Sequence, residues 1–111
     1  MKYIFVIFFF SIGFFSSLQA QTKAEEISGK IANNLKDSLQ LTVIQRNAVF
    51  DINMRLAVAK SDVRNKYQQQ DSMRIYMQRV ENTRDSLYKA ILNEQQFLQY
   101  KKRKYTLLNV N

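Results

Sequence analysis

The sequence contains no cysteine, no histidine, no proline and no tryptophan, and only two glycines among its 111 residues. Without cysteine there is no disulfide, no thiolate nucleophile and no soft metal ligand. Losing histidine as well removes the Ser-His and Cys-His pairs that activate nucleophiles. It also removes the imidazole ligands that zinc, cobalt and nickel sites favour. Met73 and Met77, one helical turn apart, read as core filler rather than as a copper(I) pair. No glycine-rich phosphate loop is present. The nine acids stand among 17 basic residues, a scatter that suits solvated ion pairs better than a paired general acid and base. The chain therefore reads as a non-enzyme without cofactor or metal. The absence of proline and the scarcity of glycine argue for long helices and against a turn-rich β protein.

What is present begins with a leader. Lys2 supplies a positive charge, Tyr3 to Phe15 is apolar except for Ser11 and Gly13, and Ser16-Ser17-Leu18-Gln19-Ala20 ends on a small residue. This pattern reads as a signal peptide over residues 1–20 that is cleaved after Ala20, leaving a single domain over residues 21–111. An uncleaved anchor is the competing reading, but the apolar run falls short of the ~20 residues a spanning helix needs. No cysteine follows the run to carry a lipid. The formal charge is +8, Lys2 included. A basic exported protein meets anionic headgroups at the membrane periphery, acidic partners or acidic stretches of unfolded chains. Nucleic acid does not fit that setting. A domain of this size has a thin core, and forming a homodimer is a direct way to bury more apolar surface.

The expected architecture is all-α, a small elongated hairpin of three to four helices. Thr22-Lys23-Ala24-Glu25 offers a capping box for a short helix to about Lys36, weakened by Gly29 and expected to be the least stable element. A long helix follows from Val43 to about Gln68. Its main stripe is Ile44, Ala48, Ile52, Leu56, Ala59, Val63 and Tyr67. A second stripe of Val43, Phe50, Met54 and Val58 lies nearly opposite at ~100° per residue. One helix cannot bury two opposite faces against one neighbour. The second stripe is thus a packing or dimer surface, or an open binding surface. The third helix starts near Met73, capped from the Gln68-Gln69-Gln70-Asp71-Ser72 tract, and packs antiparallel on the second. Arg84 interrupts its inward stripe; its head is expected to reach solvent, with a specific partner contact as the lesser alternative. The last helix runs from Glu94 to about Lys104, with Phe97, Leu98 and Tyr105 available for packing and the Lys101–Lys104 run at its C-terminus. Asp51–Arg55, Asp62–Lys66 and Asp85–Lys89 are well-oriented i,i+4 pairs.

Leu41-Thr42-Val43-Ile44-Gln45 and Leu92-Asn93-Glu94-Gln95-Gln96 stand out within this frame. In each, Thr42 or Asn93 can cap the backbone of a glutamine three residues on, and Gln45 or Gln96 can cap in return. With an all-helical chain and an export signal, the pair resembles the Spy/CpxP family of small Gram-negative periplasmic proteins, whose hallmark is a repeated L-T-x-x-Q. The first copy matches in full, and the second has Asn93 for threonine. The likeness spans Ile27 to Tyr105. It implies a curved dimer in the periplasm that holds unfolded or misfolded envelope proteins without ATP on a mixed apolar and basic face. Arg46, Phe50, Met54, Val58 and Arg64 would be its contacts. The alternative it implies is a CpxP-like regulator docking on the periplasmic sensor domain of an envelope-stress histidine kinase. The chain is shorter than many members of that family.

Overall fold

The computed structural model describes the backbone of residues 2–110 and the side chains of residues 19–110. The expected export signal therefore lies outside the described side chains except for its last two residues. The architecture is all-α, with four helices: α1 (Lys2–Leu39), α2 (Val43–Lys66), α3 (Gln70–Ile91) and α4 (Glu94–Leu108). Among the described residues no helix is long and apolar enough to cross a membrane. Short connections turn each helix back on its predecessor. α2 packs on both α1 and α3, and α4 returns to α1. The radius of gyration is 16.4 Å and the extents are 52 × 37 × 25 Å. A compact chain of this length would have a radius near ~13 Å, so the molecule is elongated.

Several boundaries differ from the sequence expectation. Thr22 lies inside α1 and starts no helix, because nothing between Gln19 and Lys23 breaks a helix arriving from upstream. Nor is this helix peripheral. Ser28, Ile31, Ala32, Leu35 and Leu39 are all buried, since α1 faces both α2 and α4. It ends at Leu39 with Gln40 in the left-handed region (φ 55°). The Leu41 N–H then donates to the Lys36 carbonyl at 3.1 Å, the bond of a Schellman turn made without the usual glycine.

On α2 the buried face is Val49, Ile52, Asn53 and Leu56, with Ala59 and Val63 packed beside it. Ile44, expected at the head of the main stripe, is 82 % exposed, because the helix turns the neighbouring Gln45 toward the other helix ends and buries Val49 further on. α3 begins at Gln70, with Gln69 of the expected tract as an N-cap that makes no side-chain bond and Asp71 in the first turn. Tyr67 and Tyr76 stack across this turn with ring centroids 3.8 Å apart. α4 continues to Leu108 across a kink at Arg103, so the Lys101–Lys104 run is not its last turn. Burial of Leu107, whose carbonyl accepts from Asn34 Nδ2 of α1 at 3.2 Å, holds that extension in place. Of its expected packing residues, Phe97 joins the core, while Leu98 and Tyr105 point to solvent.

Candidate functional site

Two constructions involve the residues singled out by sequence, and the first is a junction. Thr42 Oγ1 accepts from the Gln45 N–H at 3.1 Å, and Gln45 Oε1 accepts from the Thr42 N–H at 3.0 Å. Asn93 Oδ1 accepts from the Gln96 N–H at 2.8 Å, and Gln96 Oε1 accepts from the Asn93 N–H at 3.0 Å. Both helix starts thus carry a complete capping box. The structure adds a bond between them. Gln45 Nε2 donates to Gln96 Oε1 at 2.8 Å, and Gln96 Nε2 donates to Gln45 Oε1 at 3.3 Å. Each amide also reaches the chain end opposite: Gln45 Nε2 to the Ile91 carbonyl at 3.1 Å, and Gln96 Nε2 to that of Leu39 at 3.5 Å. Leu41 and Leu92 are buried beside it. This junction fastens four helix ends together and presents no reactive group to solvent.

The second construction is a groove of about 1250 Å³ between the middle of α1, the second half of α2, and the end of α4, with α3 beneath. Ala24, Ile27 and Ile31 contribute apolar surface from α1, Met54 and Val58 from α2, and Tyr105 and Leu108 from α4. Tyr105 is 90 % exposed and Val58 62 %, so both present apolar area that no described residue covers. Lys23, Arg55, Lys60, Arg64, Arg84 and Lys104 also line it, against Asp62 and Glu81.

Of the five contacts expected from the family likeness, Met54, Val58 and Arg64 line this groove. Phe50 and Arg46 do not. Phe50 is half-buried against the core, with the Arg46 guanidinium 5.5 Å from its ring centroid. Arg46 is committed to Asn33 Oδ1 of α1 at 3.0 Å and to Asn47 Oδ1 at 3.2 Å. Arg46 thereby braces α1 against α2.

Beneath the groove lies a polar network. Arg84 is 5 % exposed, which corrects the expectation that its head reaches solvent. Its position on α3 faces α2, where Asn53 supplies a polar partner. Arg84 Nη1 donates to Asn53 Oδ1 at 3.0 Å. Asn53 Nδ2 donates to the Val49 carbonyl at 2.8 Å and to the Tyr88 hydroxyl at 2.6 Å. Glu81 spans two cations. Lys60 Nζ stands 2.6 Å from its Oε1, and Arg84 Nη2 donates to the same oxygen at 3.3 Å. Arg84 Nε stands 3.1 Å from Glu81 Oε2 but outside hydrogen-bonding geometry. Burial pushes the Glu81 carboxyl up, yet the Lys60 hydrogen bond and the charges of Arg84, Lys60 and Lys104 outweigh it and hold it below the ordinary range. Burial holds the Tyr88 hydroxyl above its ordinary value.

A second cluster ties α3 to α4. The Tyr100 hydroxyl donates to Asp85 Oδ1 at 2.8 Å, and Lys104 and Lys101 reach the same carboxylate at 2.9 and 3.1 Å. Burial again works upward on Asp85, and hydrogen bonds from Lys104, Tyr100 and Lys101 overcome it, leaving its pKa lowered. Tyr100 is pushed well up by burial and by the carboxylate beside it. Among the described residues Asp85 therefore pairs with α4 and not with Lys89, and the expected Asp51–Arg55 and Asp62–Lys66 pairs do not form. No group of three or more acidic side chains that would hold a metal ion occurs among the described residues.

Sequence reasoning missed Glu81, Lys60, Arg55 and Lys23 as groove residues. One signal was available: Asn53 and Arg84 each interrupt an inward-facing apolar run, on two helices expected to pack together. Comparison of the chain with protein-family models, curated proteins and solved structures found no match.

Proposed function

We propose that this protein is an exported, ATP-independent, chaperone-like protein of the Spy/CpxP type that holds unfolded or misfolded envelope proteins. The observation that carries the reading is the groove, where uncovered apolar side chains at Val58 and Tyr105 stand among six basic and two acidic residues. Unfolded segments expose apolar side chains that such walls take up transiently, and the surplus of positive charge steers acidic stretches to it. Removal of the leader after Ala20 would put the new α-ammonium of Gln21 among the lining residues and add to that surplus. Val43, Ile44, Ile75 and Leu98, exposed outside the groove, are apolar side chains available to a homodimer contact.

The test is an aggregation assay with a chemically unfolded model protein. Val58→Ser with Tyr105→Ser removes apolar contact at two exposed positions, so helicity and oligomeric state should stay unchanged by circular dichroism and light scattering. Loss of protection in that variant supports the reading. Wild-type protein that protects nothing refutes it. The second reading, a regulator docking on an envelope-stress sensor domain, draws on the same surplus of cations. It predicts one folded acidic partner, with affinity that falls steeply as salt is added. Binding to many unfolded chains separates the two.

A further inference from the structure

We infer that the groove contains a carboxylate-exchange subsite: Lys60 and Arg84, bridged in the free protein by Glu81, take an aspartate or glutamate side chain of a bound segment in its place. The inference rests on the proposed binding of unfolded segments and names the chemistry that the groove selects within them.

Three observations lead to it. First, Arg84 is a 95 %-buried cation among the lining residues, as its 5 % exposure states. Asn53 and Glu81 accept from two of its five N–H donors, and its Nε faces the second Glu81 oxygen at 3.1 Å without forming a hydrogen bond. Second, the present partner of Lys60 and Arg84 is itself a carboxylate, and Glu81 also lines the groove, with its side chain 26 % exposed. The chain already shows what chemistry the two cations accept. Third, six cations face two acids around the groove, so an incoming carboxylate enters a field that attracts it. The Glu81 side chain is already 26 % exposed, so once displaced its carboxylate passes to water at the open side of the groove. One anion replaces another, and the buried guanidinium is never unpaired. An uncharged segment cannot make this exchange, because displacing Glu81 would strand Arg84 without a counter-charge.

The experiment uses the protein purified in its native processed form and two short labelled peptides followed by fluorescence anisotropy. In one, phenylalanine and leucine alternate with glutamate, and in the other with glutamine. Measured in about 1 M salt, where the Debye length is only ~3 Å, the comparison suppresses the general field and leaves the buried subsite. The glutamate peptide should bind about ten-fold more tightly. Glu81→Gln removes the resident competitor and should tighten the glutamate peptide further while leaving the glutamine peptide unchanged. Lys60→Met should bring the two affinities together. Equal binding of the two peptides to the wild type, or a Glu81→Gln variant that is folded but binds the glutamate peptide no better, overturns the subsite. If Glu81→Gln fails to fold, the Lys60→Met ratio decides alone. The two readings fail separately. Equal peptide affinities with intact aggregation protection remove the subsite and leave the chaperone reading. Neither peptide binding nor protection removes both. Groove variants that turn a dimer into a monomer assign the groove to a second copy of the chain and also overturn the subsite.

Discussion

Replacing Gln45 and Gln96 by alanine, singly and together, tests whether the two capping boxes act as one unit. Each glutamine serves its own box, bonds the other amide and reaches a carbonyl of the opposite chain end. A neutral hydrogen bond contributes about 1 kcal/mol net, and the partner left unpaired in a half-buried site adds to the loss. On that basis each single variant should lose about 2–3 kcal/mol. The amide pair, with bonds of 2.8 and 3.3 Å, is shared between them. The double variant should therefore lose less than the summed singles by about 1–2 kcal/mol. Urea unfolding followed by helical circular dichroism measures this, with all four proteins at one concentration so that self-association cannot enter the comparison. Losses that add within about 0.5 kcal/mol would mean two independent caps and refute the coupled junction.

Gly29 sits inside α1, where an added Cβ meets nothing within 4 Å. Gly29→Ala should stabilise by about 1 kcal/mol, a rise in Tm of about 4–8 °C, and a fall would show that α1 requires the bare backbone there. Gln40 shows the converse case at φ 55°, and Gln40→Gly should relieve strain of about 1 kcal/mol less part of glycine's entropic cost, so Tm rises modestly. Because the folded pKa values of Asp85 and Glu81 are lowered, their contribution is complete above the unfolded carboxylate range near ~4 and is lost as pH falls through the folded values. Asp85→Asn should flatten that acid limb in a pH series of urea midpoints. Tyr88 and Tyr100 are raised instead, so their contribution is present below ~10 and declines as pH climbs past it. Tyr100→Phe should flatten that alkaline limb, and an unchanged one would refute the assignment.

The helices and both capping boxes were legible because they depend on neighbours in sequence. Thr42 and Gln45, or Asn93 and Gln96, satisfy each other within one turn whatever the rest of the chain does. The bond between the two glutamines, 51 residues apart, depends on how four helix ends converge, and periodicity carries no such information. The same limit explains Phe50. Its spacing grouped it with Met54 and Val58, yet α1 comes close enough for Asn33 to hold Arg46, whose guanidinium lies over the half-buried Phe50, while Val58 stays open. The charge pairs failed for a related reason. An i,i+4 partner contributes only a few tenths of a kcal/mol, so Asp85 turned to Tyr100, Lys101 and Lys104 once α4 came within reach.

Arg84 joins the fold to the groove. As a stability device a buried guanidinium is poor, because desolvating it costs several kcal/mol that its ion pairs only repay with good geometry. Asn53 and Tyr88 extend the network without adding charge, so neutralisation falls to Glu81. That carboxylate lies at the boundary between protein and groove, shared with Lys60. Such a placement gives one acid two duties: it keeps the empty protein from holding an unpaired charge, and it sets the standard that any bound group must meet. A segment with apolar residues alone can occupy the walls at Val58 and Tyr105, but only one with a carboxylate can also relieve Glu81. Selectivity for acidic-apolar segments and stability of the unoccupied fold then follow from the same ion pair.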